Sequence, residues 1–288
     1  FIDSEIWPNM ILNIKKKSIP LLLLNARITK KSFNRWNSIS SFSKILFGSF
    51  DDTLPQNNET KKYLKILGAK KIKMIGNLKF CENEIQKSYS FNNKLKKFFK
   101  SKKIWCASST HENEEIISAI AHKNLKKKFK NLVTIIIPRH INRVETIIKE
   151  IENLGLITHL HSSKNIIKKS TEIYIVDTYG DTEKFFNICK TVFLGGSLIK
   201  HGGQNPLEPA RLGCKIIHGP NIDNFSEIYS LLDKNKISIK VNNLNQLVKE
   251  VGIILKKNIS SEKLIYKLKK LGNIILYSTL LEIKKFIN

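Results

Sequence analysis

The sequence predicts an α/β fold built on a doubly wound parallel sheet, and three features carry this prediction. Short apolar segments alternate with amphipathic ones along most of the 288 residues. One of them, Leu132–Ile137, is apolar apart from Thr134, as strands buried on both faces are. The third feature is a strand, a glycine-rich turn and a short helix in succession between Val192 and Gly213. Strand–helix repetition of this kind gives parallel strands joined by right-handed crossovers.

The first hundred residues predict a smaller unit followed by a linker. The pattern indicates a strand, two helices and a second strand, in that order: Ile19–Asn25, Asn34–Phe50, Asn57–Leu67 and Lys71–Ile75. The stretch Lys87–Lys103 is strongly basic with interspersed phenylalanines, which suits a linker and a domain boundary near residue 95. The chain is therefore predicted to divide into residues 1–95 and 96–288.

Strands and helices alternate regularly in the second part of the chain. The predicted strands are Lys103–Ala107, Leu132–Ile137, Glu172–Val176, Thr191–Leu194, Lys215–Ile217 and Ile237–Val241. Ser109–Glu112 has the pattern of a capping box and predicts the start of a helix that runs to about Phe129. Asn224–Glu227 predicts another helix start, and two helices are expected to finish the chain.

The stretch Val192–Gly213 carries the strongest local signal for a ligand site. Its glycines let backbone N–H groups approach a ligand, and a helix N-terminus after the turn favours an anion. Asn205 is predicted to be the N-cap, with Pro206 at the first helical position, Glu208 completing a capping box and Gly213 ending the helix. A phosphate on the turn, with ribose hydroxyls donating to Glu208, would satisfy both charges. A ligand-free helix cap of a Rossmann-like unit fits the same pattern.

The composition excludes some classes of protein and leaves one question open. A hydrophobic fraction of 41% is typical of a globular protein, and no apolar run approaches the ~20 residues that span a bilayer. The net charge of +26 suits anionic partners such as nucleic acid, phospholipid or phosphorylated substrates. AT-rich coding would also enrich the chain in lysine, and lysines on a solvated surface would give the same net charge without an anionic partner. The four cysteines stand singly, so we expect reduced thiols, most of them buried, and no metal site.

Residues with nucleotide-binding chemistry follow the predicted strands of the second part. Because parallel strands end at one edge of a sheet, these residues are expected to meet there. They are Ser108–Thr110, Pro138–His140, Tyr179–Asp181, Gly195–Ser197, Asn205–Glu208 and Gly219–Pro220. Arg139 suits bidentate phosphate binding. The sequence has no Walker lysine motif, GxGxxG fingerprint or carboxylate cluster suited to Mg²⁺, so no metal and no cofactor is expected.

Seven segments, taken in order, make the sequence similar to a known family. They are Asp3–Asn9, Asn25–Arg27, Gly76–Phe80, Ser108–Glu112, Pro138–His140, Gly195–Ser197 and Gly203–Pro209. Together they resemble the bacterial Kdo transferases, glycosyltransferases that move 3-deoxy-D-manno-oct-2-ulosonic acid (Kdo) from CMP-Kdo to a lipid A precursor in lipopolysaccharide biosynthesis. The resemblance covers nearly the whole chain. It implies a fold of GT-B type, with two Rossmann-like domains facing a cleft, the N-terminal one incomplete in this sequence.

The resemblance also implies which residues bind the donor. CMP is expected on Pro138, Arg139, Tyr179, Gly180, Asp181, Asn205, Pro206, Leu207 and Glu208. Glu5 and Lys79 match family positions that stabilise the transition state. From their place in the strand-end turns, Ser109, Gly196 and Ser197 are expected to add phosphate contacts. Tyr179 and Asp181 depart from the family pattern, which more often has Met and Glu at these positions.

The reaction that the resemblance implies is an inverting, metal-independent transfer, in which a base deprotonates the acceptor hydroxyl and CMP leaves. In the family the general-base Glu, a membrane-associated segment and most of the acceptor-binding domain precede the Asp3–Asn9 motif. The sequence therefore does not name the base, and the chain need not be active by itself. The implied partners are CMP-Kdo, the lipid A precursor and the anionic cytoplasmic face of the inner membrane, with no nucleic acid expected. Two alternatives remain: a GT-B glycosyltransferase using a UDP- or GDP-sugar, and a basic nucleic-acid-binding protein.

Overall fold

The computed structural model describes residues 1–81, 91–257 and 260–287. The chain divides into two compact units. Unit 1 consists of Phe1–Asn83 together with Leu268–Asn288, and unit 2 consists of Glu84–Lys267. Residues 87–90 of the expected linker lie outside the described residues. The sequence assigned residues 96–288 to one domain, whereas the structure returns the last part of the chain to unit 1.

Nine strands and twelve α-helices lie within the described residues. The strands are β1 (Leu22–Ala26), β2 (Asp52–Pro55), β3 (Lys103–Thr110), β4 (Leu132–Pro138), β5 (Thr158–Leu160), β6 (Ile173–Ile175), β7 (Thr191–Leu194), β8 (Lys215–His218) and β9 (Ser238–Lys240). The helices are α1 (Pro8–Lys16), α2 (Lys30–Ser38), α3 (Ser40–Gly48), α4 (Asn58–Ile66), α5 (Asn93–Lys100), α6 (Glu114–Lys126), α7 (Val144–Asn153), α8 (Thr182–Ile188), α9 (Leu207–Arg211), α10 (Ser226–Lys234), α11 (Leu244–Lys256) and α12 (Ser261–Lys284). The predicted strand Thr191–Leu194 is confirmed with the same bounds.

Unit 1 contains a two-stranded parallel sheet, in which β1 pairs with β2. The predicted helix Asn34–Phe50 is in fact the pair α2 and α3, because the chain leaves the helical conformation at Ile39 (φ −115°, ψ 50°). The Ser43 hydroxyl donates to the carbonyls of Trp36 and Ile39 and so satisfies backbone groups at this break. The buried core joins the sheet to α1, α3 and α4 through Ile11, Leu21, Leu23, Leu46, Phe47 and Leu64.

The predicted strand Lys71–Ile75 forms only one bridge, between Ile72 and Thr53. The Thr53 N–H donates to the carbonyl of Lys71 (2.9 Å), and the Lys73 N–H donates to the carbonyl of Thr53 (3.0 Å). The segment therefore lies beside β2, a strand that the sequence pattern did not indicate. The alternation of lysine and apolar residues correctly located an extended segment. However, this segment does not form the full strand that the pattern predicted.

The C-terminal part of α12 packs against the segment that precedes residue 82. Lys73 forms an ion pair with Glu282, which is 5% exposed. Hydrogen bonds from Lys285 and Lys73 hold the pKa of the Glu282 carboxyl below its usual value. The Cys81 thiol donates to the carbonyl of Gly272 (3.1 Å). These contacts explain why the part of α12 from Leu268 onward belongs to unit 1 rather than to unit 2.

Unit 2 is organised around a seven-stranded parallel sheet with the strand order β5-β6-β4-β3-β7-β8-β9. The order reverses between β3 and β7, which makes the crevice beyond these two strands the topological switch point of the sheet. Ser108 of β3 pairs with Leu194 of β7, so the following residues Ser109 and Gly195 leave the sheet side by side. The Gly195 N–H donates to the carbonyl of Ser108 (2.8 Å). The fold thus confirms the predicted parallel sheet and sets the place of its ligand crevice.

Candidate functional site

The buried carboxylate of Glu114 lies at the topological switch point of unit 2, between the loops that follow β3 and β7. Its Oε2 accepts hydrogen bonds from the N–H groups of His111 (3.1 Å) and Gly196 (2.6 Å). Its Oε1 accepts from the N–H groups of Ser197 (3.1 Å) and Leu198 (3.0 Å). Glu114 is fully buried and begins α6, where the helix dipole favours a negative charge. Four amides on one carboxylate lock the turn after β7 to the start of α6.

The Glu114 carboxylate accepts hydrogen bonds from the backbone N–H groups that the sequence predicted to bind phosphate. The N–H groups of Gly196 and Ser197 both donate to Glu114. The Ser197 hydroxyl donates to the carbonyl of Leu194 (2.5 Å) and accepts from the N–H of Gly219 (2.8 Å). The structure therefore corrects the expected phosphate contacts at Gly196 and Ser197, because a buried protein anion already fills the turn.

The predicted capping box at Ser109–Glu112 is also wrong. β3 continues to Thr110, and α6 begins at Glu114 after Asn113, which has a left-handed φ of +73° and gives no side-chain cap. Ser109 itself has a φ of +54° and is half-buried. The segment has the residue types of a capping box, but the carboxylate that folds back onto the amides is Glu114 rather than Glu112.

Three histidines gather beside this turn. The ring of His111 lies 3.9 Å from that of His201 and 5.6 Å from that of His140, measured between centroids. Its Nε2 lies 3.3 Å from the side-chain nitrogen of Gln204. Burial first, and then the charges of His201, His140 and Arg139, lower the pKa of His111 to about 4. His111 is therefore neutral at pH 7, with one ring nitrogen that donates and one that accepts. The sequence analysis did not single out this cluster.

The two arginines that follow β4 have different environments. Arg143 donates to the buried carboxylate of Glu115 (3.1 Å), whose pKa is raised by its burial. Arg139 is exposed at the strand end, and its backbone N–H donates to the carbonyl of Thr110 (2.9 Å). Its guanidinium makes no hydrogen bond or ion pair with the other residues that the structure describes. Arg139 is thus a cation at the sheet edge that is open to an anionic ligand.

The turn Tyr179–Asp181 follows β6 at the same edge. Tyr179 is 77% exposed, and Gly180 adopts a φ of +83° with open space around it. The Asp181 carboxylate accepts hydrogen bonds from the Thr178 hydroxyl (2.6 Å) and from Lys184. The hydrogen bond with Lys184, followed by that with Thr178, lowers the pKa of Asp181. Asp181 is therefore ionised and held in place.

The segment Asn205–Glu208 starts α9 differently from the prediction. Helix α9 begins at Leu207, one residue later than expected, and Pro206 precedes it. The Asn205 side chain accepts from the N–H of Leu207 (3.1 Å), two residues on, which is an Asx turn rather than the predicted N-cap contact. Glu208 is half-buried in the first turn of α9. The predicted end of the helix is confirmed, since Gly213 has a φ of +76°.

In unit 1, a hydrogen-bonded bridge links three of the segments that carry the resemblance. Asn25, which is 5% exposed, donates to the carboxylate of Asp3 (2.5 Å) and accepts from the N–H of Leu78 (3.0 Å). The exposed carboxylate of Glu5 accepts from the indole N–H of Trp7 (2.9 Å). The exposed Lys79 donates its backbone N–H to the Asn77 side chain (2.9 Å). Glu5 and Lys79 both belong to unit 1, and their catalytic role stays a prediction.

The described residues contain neither a cluster of metal ligands nor a helix able to span a membrane. Within residues 1–81, 91–257 and 260–287, no group of three or more His, Cys, Asp or Glu side chains has the arrangement of a metal site. No helix in the described part of the chain is long and apolar enough to cross a membrane. Cys106, Cys189 and Cys214 are buried free thiols, as expected.

Comparison with solved structures defines the class of protein. The fold is similar to that of a glycosyltransferase from Rickettsia africae, with a TM-score of 0.56 and 15% identity over 99% of this chain and 83% of that one. It is also similar to the crystal structure of the C-terminal CMP-Kdo binding domain of WaaA from Acinetobacter baumannii. That match has a TM-score of 0.57 and 28% identity, and it covers 62% of this chain and 92% of that domain. The fold is thus an α/β fold of the GT-B glycosyltransferase type.

Sequence comparison relates the chain to a family. Residues 1–82 match the family model of 3-deoxy-D-manno-octulosonic-acid transferase (kdotransferase). The 3-deoxy-D-manno-octulosonic acid transferase of Rickettsia felis is 33% identical over 268 residues, which are 93% of this chain and 57% of that protein. Over 93% of its length the chain is similar to a Kdo transferase, as its seven motif segments indicated. It spans somewhat more than half the length of this curated relative.

Proposed function

We propose that the chain takes part in the inverting transfer of Kdo from CMP-Kdo to a lipid A precursor at the cytoplasmic face of the inner membrane. The observation that carries this proposal is the edge of the unit 2 sheet. There, Arg139 is open to an anion beside a cluster of three histidines at the topological switch point. The 28% identity to a CMP-Kdo binding domain supports the choice of nucleotide.

The donor phosphate is the group for which this edge is best suited. The N–H groups of the glycine-rich turn already donate to the Glu114 carboxylate. The donor phosphate would therefore be bound by side chains rather than by these backbone amides. Arg139 offers a planar pair of N–H donors, and the neutral His111 imidazole offers one more. These groups would stabilise the charge that develops on the phosphate as CMP leaves, without a metal ion.

The remaining contacts of the donor follow the family pattern. Pro138 with Arg139, the turn Tyr179–Asp181 and the segment Asn205–Glu208 would hold CMP. Glu208 would accept hydrogen bonds from ribose hydroxyls, as its half-buried position in the first turn of α9 allows. Glu5 and Lys79 of unit 1 would stabilise the transition state. The acceptor base is not assigned to any residue of this chain.

Calorimetric titration of the chain with CMP, UMP and GMP tests the proposal. We expect selective CMP binding, and Arg139→Ala should weaken it about 10- to 150-fold, since a hydrogen bond to a charged group contributes about 1.5–3 kcal/mol. Glu208→Ala should also weaken it. Lys149→Ala, an exposed lysine on α7, is the matched control and should bind CMP normally. Equal binding of UMP or GMP would favour a transferase that uses a UDP- or GDP-sugar.

A further inference from the structure

A second cleft lies at the opposite edge of the unit 2 sheet, where the strands begin. Its volume is about 820 Å³, within the range of pockets that hold small ligands. We call it the lysine cleft. Thirteen residues line it, and they come from the starts of the central strands and from the helices beside them. Lys103 and Ile104 begin β3, and Lys190 directly precedes β7.

The charged residues that line the cleft are all cationic. Seven of its thirteen residues are lysine, and none is acidic. In the whole chain, lysine and arginine together make up 50 of 288 residues, so the cleft is enriched about threefold in positive charge. A basic composition spread evenly over the surface does not produce this concentration.

Six of the seven lysines divide into two groups by their contacts. Lys102 donates to the carbonyl of Lys169 (2.8 Å), and Lys103 donates to the carbonyl of Leu255 (2.9 Å), so both are held by backbone. Lys96, Lys100, Lys256 and Lys257 are exposed. The side-chain ammonium groups of these four form no hydrogen bond or ion pair with another of the described residues. Four ammonium groups around one cleft without an acidic partner favour a bound anion.

The floor of the cleft is apolar. Ile104 and Ile254 are buried, while Ile188 and Leu255 are half-buried. The two phenylalanines pack against other rings: Phe91 lies 5.6 Å from Phe99 between centroids, and Phe99 is only 4% exposed. Rings that are packed in this way do not offer the free faces on which nucleic-acid bases stack. The cleft therefore fits an anion that carries an aliphatic part.

We propose that the lysine cleft binds the phosphate of an anionic phospholipid. Lys96, Lys100, Lys256 and Lys257 contact the phosphate, and the isoleucine and leucine side chains contact the glycerol and the first methylene groups. Lysines near an anionic surface each contribute to membrane binding, and the apolar floor adds the burial of hydrocarbon. This inference does not depend on the donor site, which lies at the other edge of the sheet.

The test compares two quadruple variants of the full chain in sedimentation with lipid vesicles. One changes the four cleft lysines (Lys96→Gln, Lys100→Gln, Lys256→Gln and Lys257→Gln). The control changes four exposed lysines elsewhere in unit 2 (Lys149→Gln, Lys234→Gln, Lys249→Gln and Lys263→Gln) and so removes the same charge. Vesicles contain phosphatidylcholine with or without phosphatidylglycerol. Each lysine near the surface is worth about fivefold in binding. We therefore expect the cleft variant to bind phosphatidylglycerol vesicles at least about 50-fold more weakly than the control variant.

Three results would overturn the proposal. Equal losses in both variants would mean that binding follows net charge alone. Loss of binding to inorganic phosphate or to an RNA oligonucleotide in the cleft variant, with vesicle binding unchanged, would assign the cleft to another ligand. Unchanged vesicle binding in the cleft variant would show that the lysine cleft does not bind phospholipid. Thermal unfolding of both variants checks that they are folded. CMP titration of both variants checks that the donor site is unchanged, so that failure of this proposal can be told apart from failure of the proposed function.

Discussion

Replacement of Glu114 by glutamine tests the arrangement at the switch point directly. Glutamine keeps one carbonyl oxygen, so it can retain two of the four amide contacts, either those of His111 and Gly196 or those of Ser197 and Leu198. Its amide nitrogen then faces the other two N–H groups. An unsatisfied buried donor costs about 1–3 kcal/mol, so the free energy of unfolding should fall by about 2–6 kcal/mol.

The assay for this change is scanning calorimetry combined with urea unfolding followed by tryptophan fluorescence. Trp105 is fully buried in β3 and reports on unit 2. For a unit of this size, a loss of about 3 kcal/mol lowers the midpoint temperature by about 6–12 °C. Glu112→Gln, two residues away and exposed, is the control and should change stability by less than about 0.5 kcal/mol. Similar stability of the two variants would refute the role assigned to Glu114.

Three further predictions concern other parts of the fold. Gly195→Ala should destabilise unit 2 by more than about 2 kcal/mol in the same calorimetric assay, because a Cβ there would lie 2.5 Å from the carbonyl oxygen of Ser109 and 2.6 Å from the Cα of Thr110. Gly155→Ala, whose Cβ would meet open space, should cost about 1 kcal/mol, and equal costs would contradict the steric reasoning. The buried His122, whose pKa burial lowers to about 4 from 6.5, contributes stability that is complete above about pH 6.5 and is lost as the pH falls toward 4. Urea unfolding should therefore show about 2 kcal/mol less stability at pH 5 than at pH 7 from this group, and His122→Gln should remove that part of the pH dependence. Asn25→Ala removes two hydrogen bonds and places alanine at a φ of +50°, so the unfolding of unit 1 should become easier by about 2–3 kcal/mol, and an unchanged transition would refute the bridge.

The elements that the sequence predicted well are those with a strong local cause. Leu132–Ile137 is apolar at every position except Thr134 and became a central strand of the sheet. Gly213 ended α9 in the left-handed conformation because glycine adopts a positive φ without a steric cost. The strand-end rule also located Arg139 at the edge of the sheet. Periodicity and backbone chemistry act over a few residues, so one sequence is enough to read them.

The predictions that failed depended on partners distant in the sequence. The amides of Gly196 and Ser197 had the pattern of a phosphate site, but Glu114 is more than 80 residues earlier and no local signal links it to them. The pairing of Lys71–Ile75 and the return of α12 to unit 1 likewise depend on contacts across the chain. The histidine cluster combines residues from three separate loops, and the sequence alone does not show that these loops meet.

The return of α12 to unit 1 has a consequence for the order in which the chain acquires its structure. A ribosome releases residues 91–267 before residues 268–287, so unit 2 can complete its core while unit 1 still lacks its final helix. Until then the partners of α12, Lys73 and Cys81, remain uncovered. The core of unit 1 is therefore completed only after residues 268–287 have been made. A fragment that ends before residue 268 would keep that exposure permanently.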